Sequence, residues 1–184
     1  MHNTDSDYLE RINQLHQRLG IPSNYAHERE LDLQPEATSL VDAEHSGTGK
    51  ILQLTPEASK TWHGMKLAAS HDGIHLIMVS GYRSLDYQGT LIQKKLDRGE
   101  TIESILKILA PPGYSEHHTG LAIDITSPDC PPCTERFEKT DAFAWLQKHA
   151  SEFDMVLSYP RGNRYGFLYE PWHWAFRHNA DFVL

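Results

Sequence analysis

The stretch Ser115-Glu-His-His-Thr-Gly-Leu-Ala-Ile-Asp124, continuing into Ile125, decides how this chain is read. From Leu121 to Ile125 large apolar side chains alternate with Ala122 and Asp124. That period of two predicts a strand with Leu121, Ile123 and Ile125 turned to the core. Asp124 then points to the opposite face, beside Ala122, whose small side chain leaves room above the sheet. Gly120 suits a turn, and a bend at Thr119 and Gly120 can bring the imidazole of His117 back toward the carboxylate.

Taken alone, His117 and Asp124 fit a histidine oriented by a carboxylate better than a metal site. A second segment, Glu170-Pro-Trp-His173, adds another imidazole and another carboxylate. A catalytic zinc takes three protein ligands from His, Asp, Glu or Cys, keeps a fourth position for water, and needs a nearby carboxylate to take that water's proton. His117, Asp124 and His173 meet the ligand requirement for one ion, and Glu170 meets the requirement for a base. Glu170 and His173 are three apart, which in an ideal strand would send them to opposite faces. Pro171 is therefore expected to mark an edge, bend or bulge. Trp172 and Trp174 are expected to serve as walls or core, and His118 is expected to project away from its neighbour without a role.

With 184 residues, 39% apolar and 23% charged, the chain is long enough for one globular core and short for two. A formal charge of −8 argues against a nucleic-acid binder and against a basic membrane-binding surface. No stretch approaches the length of a membrane-spanning helix. Met1 to Leu19 carries acidic and polar residues throughout, without an apolar run of seven or a small-residue cleavage site, so a cytoplasmic location is expected. Of twelve histidines only His117 and His173 are candidate ligands; His16, His45 and His149 are expected to be solvated or satisfied. The two cysteines, Cys130 and Cys133, are expected as free thiols in a loop.

The coarse pattern is α+β. Tyr8, Ile12, Leu15 and Leu19 predict a packing helix, with Asp5 or Ser6 as cap and Gly20 and Pro22 as stop signals. Residues 22–50 read as mostly irregular, with short strands near Ser39–Asp42 and Lys50–Leu54. Thr55-Pro56-Glu57 reads as a cap and a first-turn proline, opening a helix that buries Trp62, Met65 and Ala69 and ends at Gly73. A strand is expected over Ile74–Ser80, then a helix capped by Ser84 running through Leu91, Ile92 and Leu96 to about Gly99. Arg83 sits at that junction, where it could be held over a site. Further helices are expected over 101–109 and 141–153. Met155–Tyr159 and Tyr165–Tyr169 read as two strands, joined as a hairpin by the turn at Pro160–Gly162.

The residues also carry a family resemblance. Ser115-x-His117 with Gly120, Ala122 and Asp124, then Glu170-Pro-Trp-His173, resembles the signature of the VanY-type D-alanyl-D-alanine carboxypeptidases, zinc enzymes of the LAS group that trim peptidoglycan peptides. Ser80-Gly-Tyr-Arg-Ser84 with Gln88 looks like that family's arginine motif, and Ser158-Tyr-Pro-Arg-Gly162 like the segment before its last motif. The resemblance covers roughly residues 62–176. It implies His117, Asp124 and His173 as ligands of one zinc ion, Glu170 as the base and Arg83 as the group that steadies the oxyanion. Ser115 and Tyr159 match positions that bind the substrate's terminal carboxylate, and Gln88 matches a pocket position.

The implied fold is the LAS or hedgehog-type zinc peptidase fold, a small, largely antiparallel sheet flanked by helices. The chain is expected to be a single domain over 1–184, with an N-terminal helix and irregular extension to residue 54 and the catalytic core from 55. The implied partner is a peptidoglycan stem peptide or muropeptide. Release of D-alanine from tetrapeptides during cell-wall recycling, an L,D-carboxypeptidase activity, is the favoured expectation, because a cytoplasmic D,D-enzyme would destroy pentapeptide precursors. A D,D-carboxypeptidase, a D-Ala-D-Ala dipeptidase and a non-catalytic zinc-containing peptide-binding module are the alternatives.

Overall fold

Every residue from Ala122 to Thr126 is buried, because this strand lies inside a sheet with apolar core on one face and a cavity on the other. The computed structural model describes residues 3–47 and 49–177. In chain order its main elements are α1 (Asn3–Leu19), α2 (Tyr25–Glu28), β1 (Val41–His45), β2 (Ile51–Leu54), α3 (Pro56–His71), β3 (Ile77–Ser80), α4 (Leu85–Leu96), α5 (Ile102–Ile105), β4 (Ala122–Thr126), α6 (Asp141–His149), β5 (Met155–Leu157) and β6 (His173–Phe176). Single 3-10 turns lie at Glu116–Thr119, Glu135–Lys139 and Ala150–Phe153. Strands β3-β4-β6-β5 form one antiparallel sheet, while β1 and β2 form a separate hairpin. This is the expected α+β arrangement of a small antiparallel sheet with helices around it.

The helix starts follow local chemistry. The side chains of Thr55, Ser84, Thr101 and Thr140 each accept a hydrogen bond from a backbone N–H in the first turn of the helix that follows, satisfying donors that the helix itself cannot. Trp62, Met65 and Ala69 of α3 pack against Met78, Ile123 and Ile125 of the sheet, joined by Trp145 and Leu146 of α6. At α1 the apolar stripe is as expected: Ile12 and Leu15 meet Leu85, and Leu19 meets Ile92.

Several expectations shift. Helix α1 begins at Asn3, so Asp5 and Ser6 lie within it rather than capping it. The strand expected at 74–80 is only Ile77–Ser80, and the one near Ser39–Asp42 is displaced to Val41–His45. Continuous helix over 101–109 reduces to α5 followed by turns, and α6 gives way to a 3-10 turn after His149. Tyr165–Tyr169 is not a strand. Its backbone is held instead by Arg29, which donates to the Tyr165 and Gly166 carbonyls, by the side-chain amide of Asn163, and by a bond from Leu168 N to Lys107 O. The partner of β5 is β6, so the expected hairpin is absent.

Candidate active site

Two strands and one turn assemble the site. Asp124 on β4 stands directly across from His173 on β6, which places two of the predicted ligands side by side. Between Glu170 and His173 the chain makes a tight turn through Pro171 and Trp172, closed by a bond from His173 N to Glu170 O of 3.1 Å. That turn is the predicted bend, and it lets both side chains reach one cavity. Trp172 lines the cavity, whereas Trp174 is core and donates its indole N–H to the Pro171 carbonyl.

His117 arrives from the 3-10 turn Glu116–Thr119, which Gly120 ends in the left-handed region at φ +66°. A Cβ at Gly120 would also stand 3.1–3.2 Å from Leu40 and Thr55, so both backbone conformation and space favour glycine there. The His117 Nδ1–H donates to the Gly81 carbonyl at 2.7 Å, which turns Nε2 toward Asp124 at 3.4 Å. His173 presents Nδ1 to the same Asp124 oxygen at 3.2 Å. One ligand atom from each of His117, Asp124 and His173 lies within 4.8 Å of the others, and all three residues are buried. Tetrahedral ligands about 2.0–2.1 Å from a zinc ion stand about 3.3 Å apart. The spacings to Asp124 fit such an ion, and these three residues can hold one metal ion.

The surroundings orient the donors. Glu116 accepts from His173 Nε2 at 2.9 Å, and Arg177 pairs with the other Glu116 oxygen. Such outer carboxylates fix the tautomer of a metal-binding histidine and make it a stronger donor. Arg83 pairs with the free Asp124 oxygen, and its Nε donates to Ser80 Oγ at 2.9 Å. Ser80 faces Asp124 because the β3–β4 register slips between Met78 and Ser80, a bulge that re-aims the strand end beside the site.

Electrostatics follow from this packing. Burial opposes ionisation of Asp124, but the charges of His117 and Arg83 and its hydrogen bonds hold it well below the usual carboxylate range. Glu116 is likewise held at about 2, where burial is outweighed by His173 and Arg177. His117 falls to about 4, through burial and the Arg83 charge. His173 rises to about 10 despite burial, because Asp124 and Glu116 both bind its ring. Two carboxylates converging on one imidazole make this a place that favours a cation. Glu170 is different: burial raises it to about 7, with the charges of His173 and Asp124 acting in opposite directions.

A cavity of about 320 Å³ brings together Arg83, Gln88, Ser115, His117, Asp124, Tyr159, Glu170 and His173, all eight of the predicted site residues. The Tyr159 ring lies on His173, with centroids 4.7 Å apart, and meets Phe167 edge-on. Gln88 donates to the Ala110 carbonyl, while its Oε1 is buried without a partner among the described residues. Cys133 is on the cavity wall and Cys130 is buried in the core.

Sequence reasoning missed Glu116, Arg177 and Lys95, and it gave His118 no role. His118 is fully buried. It accepts from Gly113 N at Nε2, so Nδ1–H donates to the Arg83 carbonyl at 2.6 Å. It therefore positions the arginine segment. The adjacency of Glu116 and His118 to His117 was the one available signal, and residue type alone gives neither a partner.

The VanY D-alanyl-D-alanine carboxypeptidase family model matches residues 51–179. YodJ of Bacillus subtilis (strain 168), provisionally named a carboxypeptidase, is 31% identical over 170 residues, covering 86% of this chain and 57% of YodJ. A D-alanyl-D-alanine carboxypeptidase of Enterococcus faecium is 30% identical over 125 residues, 66% of this chain and 37% of that protein. The chain thus spans less than two thirds of the length of either relative. The structure of the LdcB LD-carboxypeptidase superposes with a TM-score of 0.69 at 31% identity, covering 77% of this chain and 69% of LdcB. A zinc complex of a mutant VanY D,D-pentapeptidase from a VanB-type resistance cassette superposes with a TM-score of 0.62 at 25% identity, covering 79% of this chain and 83% of that one. Motif, geometry and likeness agree: the chain belongs to the VanY D-alanyl-D-alanine carboxypeptidase family.

Proposed function

We propose that this protein is a zinc carboxypeptidase that releases terminal D-alanine from peptidoglycan stem peptides, with the L,D bond of tetrapeptides as its preferred target. The observation that carries the reading is the convergence of His117, Asp124 and His173, with Glu170 on the wall of the same cavity. The zinc-bound relative supports the choice of metal. Zinc held there would act as a Lewis acid and bring the pKa of a water down to about 7.

The chain's own groups supply the rest. Glu170, raised to about 7 by burial, is poised to accept a proton from the attacking water near neutral pH and to return one to the leaving amine. Arg83 places a guanidinium on the cavity wall, where it can meet charge developing on the carbonyl oxygen. Ser115 and Tyr159 stand on that wall as partners for a terminal carboxylate. The buried Gln88 Oε1 can accept from a substrate N–H, recovering the roughly 1–3 kcal/mol that an unpartnered buried acceptor costs.

The likeness to the LdcB LD-carboxypeptidase supports the preference for tetrapeptides, and a D,D-carboxypeptidase, as the Enterococcus faecium relative is named, is the second reading. A cytoplasmic location belongs to the same proposal, and cell fractionation checks it. Zinc-loaded protein incubated with purified tetrapeptide and pentapeptide muropeptides should release alanine mainly from the tetrapeptide. Loss of alanine from the pentapeptide alone would overturn the L,D assignment, and intact substrates in both arms would overturn the reaction.

A further inference from the structure

Beside the catalytic cavity runs a second hollow of about 310 Å³ that shares Arg83, Lys95 and Leu109 with it as common wall. Its remaining charged lining is Lys50, Lys94 and Arg98, and no acidic side chain lines it among the described residues. This is notable in a chain of formal charge −8. Arg83 is committed to Asp124, and Lys95 is bridged to Glu100. Lys94 and Arg98 are exposed and have no acidic partner among the described residues.

Cations in the last turn of a helix are common, because they complement its carbonyl end, and that accounts for Lys94 and Lys95 on α4. It does not account for Lys50, which comes from the β1–β2 hairpin and reaches the same hollow with Nζ 4.6 Å above the Tyr87 ring. Two separate elements thus direct positive charge into one concavity that adjoins the active-site cavity across Arg83, Lys95 and Leu109. Low-dielectric walls of one sign focus the field and concentrate anions.

We propose that this groove binds a carboxylate carried by the substrate peptide upstream of the bond to be cut, so that the protein distinguishes a stem peptide with a free side carboxylate from one whose carboxylate is amidated. The proposal rests on the carboxypeptidase reading. A peptide whose C-terminal residue lies at the His117–Asp124–His173 centre can continue past the shared wall of Arg83, Lys95 and Leu109 into the groove. There Lys94 and Arg98 offer donors not otherwise engaged.

The test uses two synthetic stem peptides that differ only in a side carboxylate or its amide, each made in a cleavable form and in a non-hydrolysable form with a reduced terminal bond. Fluorescence anisotropy with the zinc-loaded protein should show the carboxylate form of the non-hydrolysable pair binding about three- to tenfold more tightly, a margin that shrinks with added salt. The double variant Lys94→Gln/Arg98→Gln should lose that margin while binding the amide form as wild type does. With the cleavable pair, KM should carry the effect and kcat should not. Equal binding of the two forms by wild type, or a margin that survives the double substitution, overturns the groove. Failure of wild type to release alanine from either cleavable peptide, with the binding margin intact, overturns the reaction and supports the groove.

Discussion

Glu116 Oε2 lies 2.9 Å from Nε2 of His173, joining two buried side chains 57 residues apart. With Arg177 on its other oxygen, Glu116 stays ionised and keeps the far ring nitrogen engaged, so that Nδ1 is the one offered to Asp124. Replacing it as Glu116→Gln removes the charge while preserving shape. The expected outcome is zinc affinity weaker by about 10- to 100-fold, measured by competition with a chromophoric chelator, with little change in the far-ultraviolet spectrum.

Glu170 stands apart from the ligand set, so its removal separates metal binding from turnover. Glu170→Ala should lower kcat by roughly a hundred- to ten-thousandfold and retain one zinc per chain by metal analysis. A variant that lost zinc and kept activity would mean that the roles are misassigned and that turnover does not depend on the metal.

Burial pushes the His16 imidazole below its usual 6.5, against the hydrogen bond to the Pro112 carbonyl. In the unfolded chain this ring takes up its proton near 6.5, and in the folded chain only at lower pH. Between those two values the unfolded state holds more protons, so stability rises with pH. The contribution present above 6.5 is lost as pH falls through that window. Urea unfolding at about pH 7.5 and about pH 5.5 should therefore show a smaller loss on acidification for His16→Gln than for wild type.

Two glycines should respond in opposite directions. A Cβ at Gly81 would stand 2.6 Å from the Gln53 carbonyl oxygen, and the Gly81 carbonyl orients His117. Gly81→Ala is expected to destabilise the fold by about 1–3 kcal/mol. Gly64, inside α3, has only Phe153 nearby at 3.8 Å, so Gly64→Ala should stabilise by about 0.5–1 kcal/mol. Denaturant midpoints measured side by side check both signs.

What could be read in the residues was local chemistry. Alternation along 121–125 put Asp124 on the face away from Ile123 and Ile125, hydroxyl caps marked α3 and α4, and the three-residue spacing around Pro171 demanded a bend. What escaped depended on distant partners. Met155–Leu157 pairs with β6 across the sheet, while Tyr165–Tyr169, which looks equally strand-like, finds its hydrogen bonds in Arg29, Lys107 and Asn163. Composition cannot tell those two segments apart. The roles of Glu116, His118 and Arg177 escaped for the same reason, since a ligand recipe counts donors to the ion and says nothing of the groups that aim them.

The backbone of Arg83 is tied at both ends to the turn that carries His117: its N–H donates to the His117 carbonyl, and its carbonyl receives His118. One ligand and the neighbouring guanidinium are therefore mounted on a common bracket rather than on independent loops. Anyone grafting this centre onto another scaffold would have to transplant residues 80–84 and 113–120 as a single block, because moving either alone would leave the arginine and the imidazole out of step.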